Sequence, residues 1–215
     1  MALLLYGSSG LRRILLLVKR QDGASTFVMS FFNPYAEIQV SAANLPHWRQ
    51  DGVLYFVTFR LADSLPSEKR HSMQLEREAW LHAHPEPLTP GEEQEYWTLF
   101  GARTQQFLDA GHGACLLASP EMGVLVEDAL RHFDAERYEL GKLVVAPNHV
   151  HVLVRPLPGY ELSGIVASWK SYTSLRINRR LGREGALWQK ESYDHIVRSA
   201  SALWHIERYI EGHLK

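Results

Sequence analysis

The sequence predicts an α+β domain: a ferredoxin-like or RRM-like antiparallel sheet with helices mainly on one face, plus a helical insertion. Two observations predict it. β-rich runs alternate with amphipathic stretches in the order β, insertion, β, α, β, β, α, β, α, which suits helices layered on a sheet. The chain has 215 residues and is 46% hydrophobic, enough for one sizeable core.

The elements follow in order. Residues 53–61, Val-Leu-Tyr-Phe-Val-Thr-Phe-Arg-Leu, are β-branched and aromatic and apolar almost throughout, as in a central strand. Leu65-Pro66 ends the run. Residues 67–84 are charged with spaced Met73, Leu75, Ala79, Trp80 and Leu81, and are expected to be helical. Pro85, Pro87, Pro90 and Gly91 break that helix, and 92–110 resumes it with Tyr96, Leu99, Phe100 and Phe107 as its stripe. Residues 67–110 thus form an insertion. Residues 114–117 are a candidate strand. A helix then starts with Ser119 as cap, Pro120 in its first position and Glu121 complementing the dipole. Strands are expected at 138–146 and 149–155, and a long amphipathic helix at 162–181, stopped by Gly182. A short strand near 195–197 and a helix capped by Ser199 complete the pattern.

Residues 1–42 are expected to be an N-terminal extension, partly disordered, with 1–28 upstream of a more ordinary start at Met29. Residues 43–215 form a single domain. The apolar runs before Arg20 are far shorter than a membrane span and lack a small-residue cleavage site, so a cytoplasmic location, with the nucleoid, and no membrane partner are expected. Cys115 is the sole cysteine, which excludes an intrachain disulfide.

Formal net charge is −1, but it is unevenly spread. Residues 63–100 carry eight acidic against three basic residues, and residues 168–198 seven basic against three acidic. The second stretch is either a solvated helix face or a nucleic-acid surface. Lys170, Arg176, Arg179, Arg180, Arg183, Trp188, Gln189 and Lys190 are its candidate DNA contacts: cations neutralise phosphates and flat rings stack on unpaired bases. Trp169 and Tyr172 are expected to be core residues of the helix.

The chemistry concentrates at 147–151. In a strand, positions i and i+2 share a face, so His149 and His151 point together while Val150, Val152 and Val154 point into the core. Paired imidazoles either bind one divalent ion or simply face solvent. A third ligand is available from the last helix, where Tyr209 and His213 lie four residues apart on one face. A tyrosine phenol titrates near pH ~10, so it needs a cation or base to become a nucleophile.

Several blocks carry a family resemblance: Pro147-Asn148-His149-Val150-His151, Trp169-Lys170-Ser171-Tyr172-Thr173, Arg176-Ile177-Asn178, Leu187-Trp188-Gln189, Tyr193-Asp194-His195 and His205-Ile206-Glu207-Arg208-Tyr209-Ile210. Upstream, Leu45-Pro46-His47-Trp48 and the text from Tyr55 to Pro66 fit the same pattern. Together they resemble the REP-associated tyrosine transposases of the HUH superfamily, with a transposase IS200-like domain, over about residues 43–211.

The resemblance implies a metal-dependent DNA nicking and joining enzyme. His149, His151 and Tyr209 would be catalytic. His149 and His151 would hold Mg²⁺ or Mn²⁺, with His213 as further ligand. Tyr209 would attack a DNA phosphate, form a 5′-phosphotyrosine and free a 3′-hydroxyl. The implied partner is single-stranded, hairpin-forming DNA, bound by a monomer or homodimer. One departure stands out: His213 replaces the family's polar residue four after the tyrosine, and the relatives' asparagine-proline and tail are missing after it. That leaves a shortened, decayed or domesticated hairpin-binding protein as the alternative. A histidine-triad nucleotide hydrolase fits worse, because its third alternating histidine is Leu153 here.

Overall fold

The computed structural model describes residues 2–4, 15–19, 26–29, 31–33, 39–42, 46–85 and 89–213. Three short strands, β1 (Ala2–Leu4), β2 (Leu15–Lys19) and β3 (Thr26–Met29), pair antiparallel in one sheet. β4 (Gln39–Ala42) and β5 (Pro46–Arg49) form a hairpin.

The main sheet contains β6 (Tyr55–Arg60), β7 (Tyr138–Val145), β8 (His149–Pro156) and β9 (Tyr193–Ile196) in the order β7-β8-β6-β9. Every neighbouring pair is antiparallel. With α4 (Pro120–Arg131) after β6 and α5 (Leu162–Leu181) after β8, the order is β-α-β-β-α-β, the predicted ferredoxin-like arrangement. β6 and β8 lie between two neighbours each, which explains why both read as near-continuous apolar runs.

Alternation divides the side chains between two faces. Tyr55, Val57 and Phe59 of β6 join Val150, Val152 and Val154 of β8 in one core, closed by α4 and α5. Leu54, Phe56 and Leu153 turn the other way and pack under α6 (Ala200–Gly212) through Leu203 and Ile210. Of the helices outside the insertion, α4 and α5 thus cover one face and α6 the other. The apolar pattern of a helix shows which of its own sides is buried, but not which sheet face receives it.

The insertion is helical as expected: α1 (Ser67–Ala83), α2 (Pro90–Tyr96) and α3 (Ala102–Asp109), the last two joined by a π-helical turn at Trp97–Gly101. The strand expected at 114–117 is instead a loop and a 3₁₀ turn at Leu116–Ala118. Gly111, Gly113 and Cys115 all have positive φ, which an extended strand cannot accommodate. A Cβ on Gly113 would lie 2.7 Å from the Asp63 carbonyl oxygen, so the loop packs too closely there for any other residue. Ser119 precedes α4 without a side-chain cap bond, whereas the Ser199 hydroxyl accepts from the Ala202 amide as expected. Among the described residues, no helix is long and apolar enough to cross a membrane.

Candidate metal and tyrosine site

The site lies on the α6 face of the sheet. His149 and His151 project from β8, their ring centroids 4.4 Å apart. Both are almost fully buried, at 1% and 0% exposure, so they are not solvent-facing histidines. α6 brings Tyr209 and His213 over them, with His151–Tyr209 and His151–His213 ring centroids 5.1 and 5.3 Å apart. Lys142 of β7 pairs with Glu207, at 3.6 Å, and with Glu211, tying this helix to the sheet.

A fifth group was not legible in the sequence. Asp109, the last residue of α3, reaches in from the insertion. Its carboxylate accepts from the Tyr209 hydroxyl at 3.1 and 3.2 Å and lies 2.9 Å from His213 Nε2. One ligand atom from each of Asp109, His149, His151 and His213 falls within 4.8 Å of the others.

The surrounding hydrogen bonds set which nitrogens are free. His149 Nδ1 lies 2.7 Å from the Asn148 side-chain oxygen, and Asn148 Nδ2 donates to the His112 carbonyl. With Nδ1 as donor, the lone pair of His149 sits on Nε2, which is buried and has no hydrogen-bond partner. His151 Nδ1 is held by the Thr58 hydroxyl at 2.8 Å, and its Nε2 lies 3.2 Å from the Tyr209 hydroxyl. His213 Nδ1 donates to the Tyr209 carbonyl, again leaving Nε2 facing the cluster. Asn148 and Thr58 thus orient the two imidazoles, an arrangement that outer partners take in metal sites. Neither belongs to a ligand motif. Thr58 is found only through the strand register that sets it opposite His151.

Electrostatics agrees with this arrangement. Burial pushes the His149 imidazolium down to about 4, and burial followed by repulsion from His149 pushes His151 well below its ordinary value. Both are neutral near pH 7 and can ligate. The hydrogen bond to Asp109 raises His213. Burial alone would raise Asp109, but the bonds from His213 and Tyr209 outweigh it and hold its carboxyl low. Burial, then the Asp109 charge, pushes the Tyr209 phenol above its ordinary value. The residues fit a divalent ion: three imidazole nitrogens and one carboxylate converge, and one inward nitrogen is otherwise unsatisfied.

The expected DNA contacts separate into groups. Arg176, Arg179, Arg180 and Arg183 are exposed at the end of α5 and just beyond, on the helix packed against the opposite sheet face from the histidines. Arg180 pairs with Glu121. Lys170 donates to the Lys190 carbonyl, and Gln189 and Lys190 line a cavity on the histidine face. Trp188 departs from expectation. It is 5% exposed, donates to Thr173 and packs edge-on to Phe59, so its ring is a core element rather than a stacking surface. Trp169 is core as expected, its indole donating to Tyr138, but Tyr172 is 51% exposed.

Residues 122–213 match the family model described as Transposase IS200 like, a stretch that contains His149, His151, Tyr209 and His213. No curated protein matches the chain. Similar solved structures include a REP-associated tyrosine transposase bound to a REP hairpin, at 15% identity and TM-score 0.46, over 79% of this chain and 70% of that one. A Deinococcus radiodurans protein described as a transposase is similar at 15% identity and TM-score 0.38, over 86% of this chain and 98% of that one.

Proposed function

We propose that this chain, with its IS200-like transposase segment, cleaves and rejoins single-stranded DNA at REP-type hairpins through a 5′-phosphotyrosine on Tyr209. The observation that carries the reading is the position of the Tyr209 hydroxyl, 3.2 Å from His151 Nε2 and 3.1 Å from Asp109, at the edge of a convergent ligand set.

His149, His151, His213 and Asp109 would hold the ion. Three imidazoles beside one carboxylate would suit Mn²⁺ better than Mg²⁺, which holds more strictly to oxygen ligands. A bound divalent cation would polarise the scissile phosphate and offset developing charge. The protein's own groups do the rest. Asp109 is positioned to accept the phenol proton as the Tyr209 oxygen bonds to phosphorus. The bond from phosphorus to the 3′-oxygen breaks, and the proton held at Asp109 is available to that departing oxygen. The 5′-phosphotyrosine ester retains the bond energy, so attack by another 3′-hydroxyl rejoins strands without a nucleotide cofactor. The exposed arginines at the end of α5 would hold the hairpin stem by its phosphates.

The test is incubation of labelled hairpin DNA with the protein and Mn²⁺, Mg²⁺ or chelator. A denaturant-resistant protein–DNA adduct that needs metal and disappears in Tyr209→Phe is expected. Hairpin binding with no adduct under any metal would instead point to a binding protein without turnover.

A further inference from the structure

We infer that the cavity between the helical insertion and the β6–β9 side of the sheet takes one unpaired nucleotide of the bound strand, its base against Phe100, which the buried Tyr96 backs, and its phosphate among Arg60, Arg70 and Arg77. The inference rests on the strand-cleavage reading for its substrate, but on separate residues.

Location is the first argument. Thr58 lines the cavity and its hydroxyl holds His151, while Leu108 lines it immediately before Asp109. The cavity therefore adjoins the tyrosine site on the same sheet face. A strand with its scissile phosphate at Tyr209 has a neighbouring nucleotide to place there.

Charge is the second. The insertion is acidic, yet both of its arginines that lie before residue 100, Arg70 and Arg77, line the cavity, and none of its Asp or Glu residues does. Arg60 and Lys190 add two further cations from the sheet side, against the single carboxylate of Glu191. Among the described residues, Arg60, Arg70 and Arg77 form no ion pair. Arg77 Nε is buried without a hydrogen-bond partner. Burial and the nearby Arg70 charge lower Arg60 to about 10, and burial lowers Lys170 beside it to about 8. Unopposed cations held this close are stabilised by a phosphate.

Shape is the third. The cavity measures about 260 Å³, just under the range that holds drug-sized ligands, which suits one nucleotide. Tyr96 and Phe100 sit with ring centroids 5.1 Å apart. The π-helical turn at Trp97–Gly101 supplies Phe100 and Gly101 to the lining, and such turns recur where a helix is reshaped for a ligand. Aromatic rings beside backbone-tracking cations are the recurring means of holding unpaired bases.

The experiment measures binding of fluorescent hairpins with a short single-stranded flank, in chelator, replacing each unpaired position in turn by an abasic site. One position should weaken binding about tenfold. Phe100→Ala should abolish that position's effect. Arg70→Gln, at an exposed residue with no ion pair to lose, should lower the salt dependence of log affinity by about 0.7. Equal binding for every abasic substitution, or unchanged position dependence and salt slope in both variants, would overturn the inference. Adduct formation with Mn²⁺ is scored on the same DNA. An adduct with no sensitive position sinks the pocket alone. A sensitive position with no adduct sinks the tyrosine reading and leaves the pocket standing.

Discussion

At the scale of single residues, the site divides by how each member could be read. His149 and His151 were legible because a strand puts i and i+2 on one face, and Tyr209 and His213 because a helix does so for i and i+4. Asp109 lies on the insertion, 100 residues before Tyr209, and no local period connects them. Only the packing of the insertion against the sheet does. Its role is testable by Asp109→Asn. Metal affinity measured by calorimetry should fall about tenfold or more, and the His213 imidazolium should titrate lower because its strongest partner is gone. Unchanged Mn²⁺ affinity would remove Asp109 from the ligand set. Trp188 shows the converse limit. Its neighbours Gln189 and Lys190 face a cavity, and a tryptophan beside such residues reads as a base-stacking ring until the structure shows it filling the core.

At the scale of elements, α6 decides whether there is a site. It carries Tyr209 and His213, and it is held by Leu203 and Ile210 in the smaller core and by Glu207 and Glu211 on Lys142. Its ends were legible from Ser199 and the apolar spacing, as the end of α5 was from Gly182, which adopts a left-handed φ of 61°. Its sheet face was not, because either face could accept the same stripe. Ile210→Ala removes a fully buried side chain and should cost about 2–5 kcal/mol in urea unfolding. Adduct yield should fall with it, since a loosened α6 no longer fixes the tyrosine. A stable variant with full adduct yield would show that α6 is held by something else. The loop at 111–118 also defeated sequence reading. Its short apolar run resembles a strand, but three positive-φ positions and the close approach to Asp63 make it a turn that supports Asn148.

At the scale of the whole molecule, a net charge of −1 conceals a segregated one, with the insertion's acidic residues kept out of the cavity and arginines gathered at the end of α5. The buried histidines also give the metal-free fold a defined pH response. His149 and His195 are each lowered to about 4 by burial, so between about 6.5 and 4 the unfolded chain binds more protons. Stability should therefore fall as pH drops through that window. His213 is raised, so its contribution is present below pH ~6.5 and lost as pH rises through its folded value. Thermal melts in chelator should be highest near neutral pH and decline steeply toward pH 4. A melting temperature that stays flat from neutral pH to pH 4 would contradict the burial of these imidazoles. The central claim is that Tyr209 is the group that becomes joined to DNA. The most direct measurement is proteolysis of the metal-dependent adduct followed by mass spectrometry of the nucleotide-bearing peptide. The account predicts the added phosphonucleotide on Tyr209; the same mass on another tyrosine, or on no peptide at all, would contradict it.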